Sequence, residues 1–95
     1  MPCLNLNWQR ATFVYRPCWV KLDPGMELEA HSHPIFEYYV FTRGTGKMHL
    51  NEKWFDVGPG MVVNIPPDTV HGAKVDKNAS EPLLWISTGF SVAEK

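Results

Sequence analysis

The stretch GMELEAHSHPIFEYYVFTRG, residues 25–44, decides how the rest of the chain is read. His31 and His33 stand two apart in a segment of extended character, so both imidazoles leave the same face. Pro34 interrupts the pattern, because it brings no N–H to a strand ladder. From Glu37 the residues alternate again, and Glu37, Tyr39 and Phe41 share one face. Two aromatics mark that face as interior. Glu37 is its surprising member, since an inward carboxylate is costly unless it is paired or bound to a metal.

Outward from this stretch, the chain is cut into short pieces. Seven Gly and eight Pro recur every several residues, and few intervals between them hold a helix of ordinary length. The pieces are rich in β-branched and aromatic residues, the composition of strands. Expected strands are 12–15, 19–22, 28–33, 37–41, 47–50, 53–57, 62–65, 70–75 and 83–88. Asp23-Pro24-Gly25 reads as a turn, with Pro fixing φ and Gly free to take φ > 0. Asn51-Glu52 reads as a hairpin connection, and Gly58-Pro59-Gly60 as the end of one strand and the start of the next. Eight or nine short strands at this spacing imply an all-β sandwich or barrel. Alternation fills its interior with Tyr39, Phe41, Met48, Leu50, Phe55, Val57, Val63 and Ile65 and puts Met61 on the same face as Val63 and Ile65. His49 falls on the opposite parity from Met48 and Leu50, so it is expected to face solvent and to bind no metal.

Length and composition bound the function. The 95 residues make one domain, 1–95, and 44% apolar residues with four Trp are too many for a disordered chain. The formal charge is −1 and the basic residues are scattered, which disfavours a nucleic-acid partner. The longest apolar runs, 38–41 and 83–86, are far too short for a membrane span, and no signal-peptide pattern opens the chain. Cys3 and Cys18 make neither a disulfide framework nor a zinc spacing, so the expectation is a reduced, cytoplasmic protein.

His71 follows a Pro66-Pro67-Asp68 turn far along the chain. Three imidazoles and one carboxylate suit a divalent transition metal (Fe, Mn, Co, Ni, Cu or Zn) rather than a thiolate-dependent site. Such a set leaves one or two coordination positions open, as in a catalytic site. Tyr39, two residues after Glu37 on the same face, is read either as a core aromatic or as a hydrogen-bond donor or general acid toward a substrate. No second carboxylate stands out as a general base, so any catalysis is expected to centre on the metal.

The spacing resembles a known family. Gly25, five residues, His31, one, His33, three, Glu37, six, Gly44 is similar to the first conserved motif of the cupins at every fixed position. Gly60, five residues, Pro66, one, Asp68, two, His71 resembles the second, with Asp68 where the family usually has Gly and Val75 where it usually has Asn. The resemblance covers roughly residues 22–86, with core motifs at 25–44 and 60–71. It implies a cupin-type double-stranded β-helix, a jelly-roll barrel of six to eight strands, with a metal held by His31, His33, Glu37 and His71. It also implies that homodimers are common, often through N-terminal strands, and Trp8, Phe13 and Trp19 lie in that segment here. The expected function is a small metalloenzyme acting on a small organic substrate, by dioxygenase, isomerase, lyase or cyclase chemistry. The alternative is a non-catalytic module that binds or senses a small ligand.

Overall fold

A computed structural model describes residues 17–90. Eight strands follow in chain order: β1 (Cys18–Leu22), β2 (Glu27–His31), β3 (Phe36–Arg43), β4 (Gly46–Leu50), β5 (Lys53–Val57), β6 (Val62–Ile65), β7 (His71–Lys74) and β8 (Leu83–Phe90). They form two antiparallel four-stranded sheets, ordered β1-β8-β3-β6 and β2-β7-β4-β5. The expected strand at 12–15 lies outside the described residues. Among the described residues no helix is long and apolar enough to cross a membrane.

Period-2 alternation builds the core between the sheets. Glu37, Tyr39 and Phe41 of β3 point inward with Val63 and Ile65 of β6 and Leu83 and Trp85 of β8. Met48, Val57 and Ala73 close it from the other sheet, with Leu50 and Phe55 partly buried against it. Trp85 is the largest fully buried side chain, and its ring packs 5.1 Å from Tyr39 and 5.4 Å from Phe41. Met61, expected on the face of Val63 and Ile65, lies just before β6 and is exposed.

The turns form where the breakers stand. The Met26 amide donates to the Asp23 carbonyl across Pro24-Gly25, and Gly25 takes φ +83°. Asn51-Glu52 is a two-residue hairpin, with Leu50 paired to Lys53. His49 corrects the sequence reading, for it is only 8% exposed. Its parity is as expected, but its ring lies 4.6 Å from the Trp54 ring, and its Nδ1 donates to the Asn51 carbonyl. It pairs with Gly72, whose missing side chain leaves it room. Strand parity assigns a face; neighbours on that face decide exposure. Cys18 is a second correction, since it is disulfide-bonded rather than a reduced thiol; Cys3 lies outside the described residues.

Candidate metal centre

Both sheets and the segment between them contribute to one end of the barrel. His31 ends β2 and His71 begins β7, and the two stand opposite each other in register. β2 stops at His31, earlier than the expected 28–33, because its partner β7 begins at His71, the residue opposite, and leaves nothing for residues beyond His31 to pair with. His33 therefore sits in the crossing segment before β3. It is fixed there by its own carbonyl, which accepts a hydrogen bond from the Asp68 amide at 2.8 Å. The turn that delivers His71 thus also braces His33. Asp68 makes this bond with φ +62°, the left-handed region that Asp tolerates and β-branched residues do not. Asp68→Gly is expected to stay within about 1 kcal/mol of the parent stability, and Asp68→Val to lose about 2 kcal/mol, as read by urea denaturation.

The three imidazoles converge. Their ring centroids lie 4.3 Å (His31–His71), 5.1 Å (His33–His71) and 5.3 Å (His31–His33) apart. One nitrogen from each falls within 4.8 Å of the others. Glu37 comes from the facing sheet and is buried, with Oε1 3.3 Å from His33 Nε2 and 3.2 Å from His71 Nε2. Its other oxygen, Oε2, accepts a 2.8 Å hydrogen bond from Ser87 Oγ on β8. All four residues singled out in the sequence therefore meet at one place. Ser87 was not singled out, although a signal existed: it is the polar member of the inward row Leu83, Trp85, Ser87, Gly89.

Hydrogen bonding fixes which nitrogens are free. His71 Nδ1 lies 2.8 Å from the Thr69 carbonyl and His31 Nδ1 lies 2.8 Å from the Glu29 carbonyl. A carbonyl only accepts, so each Nδ1 carries the proton, and in the neutral ring Nε2 presents a lone pair. His71 Nε2 and Glu37 Oε1 are both buried and lack a hydrogen-bond partner, because their 3.2 Å approach is poorly aligned. Two buried electron-rich atoms facing each other repel unless a cation lies between them. A proton fills that need in part. Burial pushes His71 down, but contact with Glu37, the Thr69 carbonyl and the Glu37 charge outweigh it and hold His71 above its ordinary value. Burial likewise pushes Glu37 up, but His71, the Ser87 hydroxyl and the charge on His33 and His71 hold it below the usual carboxylate range.

A metal ion meets the same need with better geometry. Donors about 2.0–2.1 Å from one ion, at tetrahedral or octahedral angles, lie about 2.8–3.4 Å from each other. The Glu37–His33 and Glu37–His71 separations of 3.3 and 3.2 Å fall in that range. The residues present therefore fit a divalent ion.

The family model for the cupin domain matches residues 18–89. The chain belongs to the cupin family. Among solved structures, the cupin domain of Cnp3 from Schizosaccharomyces pombe superposes with a TM-score of 0.75 at 14% identity, over 94% of this chain and 59% of that one. A predicted oxalate decarboxylase from Thermotoga maritima gives 0.72 at 22% identity, over 85% of this chain and 69% of that one. A structure of DMSP lyases gives 0.71 at 22% identity, over 81% of this chain and 38% of that one. This cupin thus spans about three fifths of the first neighbour's length. No curated protein matches it.

Tyr39 lies beside the histidines but inside the core. Its ring is 5.9 Å from the His71 ring and 3% of the residue is exposed. Burial, and then the Glu37 charge, push its phenol well above its ordinary value, so the hydroxyl keeps its proton. A groove of about 680 Å³ lies at the far end of β7, lined by Thr45, Lys47, Asp56, Val57, Lys74 and Val75, and it touches none of the four candidate ligands.

Proposed function

We propose that this cupin binds one divalent transition-metal ion through His31, His33 and His71 and through Oε1 of Glu37, and uses it to act on a small organic substrate. The observation that carries this reading is the buried, unpartnered pair His71 Nε2 and Glu37 Oε1, with two further imidazoles converging on it. When bound, such an ion supplies Lewis-acid polarisation, a metal-bound hydroxide or dioxygen activation. The chain's own residues do the rest. The Thr69 and Glu29 carbonyls hold the His71 and His31 rings with Nε2 turned inward. The Ser87 hydroxyl donates to Oε2 of Glu37, and Tyr39 with Trp85 forms an apolar wall behind His71. Four protein donors leave one or two positions for substrate.

Elemental analysis of protein purified without chelator tests this reading. About one transition-metal ion per chain is expected. Fe or Ni supports oxygen chemistry, and Zn or Mn supports an isomerase, lyase or cyclase. A preparation that holds no metal and takes up none on dialysis contradicts the proposal.

The homodimer implied by the cupin resemblance has a surface to support it. On the outer face of the first sheet, Trp19, Ile86, Val40 and Val62 stand in register across β1, β8, β3 and β6. Trp19 is 40% and Val62 62% exposed. An apolar row crossing a whole sheet suits a second copy of this chain, because a two-fold axis lays one patch on its own image. Size exclusion with light scattering is expected to give twice the 10.8 kDa chain mass, and a monomeric mass contradicts this.

A further inference from the structure

We propose that Ser87 is a positioning residue that makes Glu37 a one-oxygen ligand, a role that rests on the metal reading above. The geometry separates the two carboxylate oxygens. Oε1 faces His33 and His71, while Oε2 accepts the Ser87 hydroxyl at 2.8 Å. Glu37 pairs with Gly89 across β3 and β8, and Ser87 stands two residues away on the same inward face, the diagonal position from which side chains on neighbouring strands reach each other. β8 is hydrogen-bonded on both sides, to β1 and to β3, so the hydroxyl is anchored to a central strand. Its inward neighbours Leu83 and Trp85 are fully buried and apolar, which makes a polar side chain at the next inward position a specific choice.

A glutamate carboxylate otherwise turns freely about its last torsion, whose energy profile is broad and two-fold. Untethered, it can present either oxygen or both. A hydrogen bond to an ionised acceptor is stronger than a neutral one and holds that torsion in place. Oε2 is thereby kept toward β8 and Oε1 toward the imidazoles. The serine touches neither the ion nor any reacting atom; it acts through Glu37.

Co(II) is the probe that reads this arrangement, because its visible bands report coordination number and geometry independently of any activity. The protein, stripped of metal, is titrated with Co(II) against a competing chelator, and its metal-free melting curve is recorded alongside. Ser87→Ala is expected to bind about 10- to 100-fold more weakly, with altered band intensity. Ser87→Thr keeps the hydroxyl and is expected to match the parent in both. Ser87→Val has the shape of Thr without the hydroxyl and is expected to behave as Ala does, so the Thr–Val pair carries the test even if Ser87→Ala fails to fold. Parent-like affinity and spectrum in Ser87→Ala or Ser87→Val overturn the Ser87 assignment and leave the metal reading standing. A Thr variant as defective as Val also overturns it, because shape rather than the hydroxyl is then at work. A parent protein that binds no Co(II) overturns both.

Discussion

Replacing His71 with Ala is expected to weaken divalent-metal binding by about a hundredfold or more. Four-ligand structural sites bind zinc with about 10–16 kcal/mol, so one ligand is worth roughly 3 kcal/mol, and each 1.4 kcal/mol is tenfold. His71 has the strongest claim to that share. It is fully buried, its Nδ1 is committed to the Thr69 carbonyl, and its Nε2 has no hydrogen-bond partner. The loss also appears as heat stability. A ligand at 100 times its Kd adds about 2.7 kcal/mol to the folded state, which for a domain of this size is roughly 10–20 °C. Adding the metal is therefore expected to raise the melting temperature of the parent by about that much, and that of His71→Ala hardly at all. His49→Ala is the matched control, another buried histidine with a carbonyl-bonded Nδ1 but one on the outer face against Trp54. It is expected to lose about 1–2 kcal/mol of stability and to keep its metal. Equal metal content in the two variants, measured by equilibrium dialysis and elemental analysis, contradicts the ligand assignment.

Gly44→Ala is expected to destabilise the fold by about 4 kcal/mol or more, enough to threaten folding in a domain whose whole stability is about 5–14 kcal/mol. Two effects combine. Gly44 takes φ +79°, a conformation that costs an L-residue about 1–2 kcal/mol. An added Cβ would also lie 2.1 Å from the Pro82 carbonyl oxygen and 2.9 Å from its carbon, and backbone yields far less readily than a side-chain tip. Pro82 leads into β8, which carries fully buried Leu83 and Trp85, so relief of the clash displaces one of the two central strands of the first sheet. Gly60 separates the two effects. It has φ +89° but nothing within 4 Å of an added Cβ. Gly60→Ala is expected to cost only the strain, about 1 kcal/mol. Urea midpoints for the two variants measure the contrast, and similar midpoints would show that the Pro82 contact is not what makes Gly44 necessary.

These glycines also show why much of the fold was legible. Gly25, Gly44 and Gly60 stand at fixed distances from His31, His33, Glu37 and His71, and all three take positive φ. Strand parity then put Glu37, Tyr39 and Phe41 on one buried face. What stayed hidden depends on contacts between segments distant in sequence. Ser87 reaches Glu37 across 50 positions, and local alternation marks it inward without naming its partner. His49 was assigned the right face but the wrong exposure, because its cover comes from Trp54 on one neighbouring strand and the space over Gly72 on another. β2 ends at His31 because its partner strand begins at His71, opposite it, which the sequence of β2 alone does not encode. The groove beside Lys47 and Lys74 is built from ends of β4, β5 and β7 that come together only in the folded sheet.

The most direct test is a crystal structure of protein purified without chelator, with diffraction collected on both sides of the absorption edge of the metal it carries. The expected result is one anomalous peak about 2.0–2.3 Å from a ring nitrogen of each of His31, His33 and His71 and from Glu37 Oε1, with Oε2 still on Ser87. A peak coordinated by other side chains, or crystals of metal-loaded protein with no peak among these four, would contradict it.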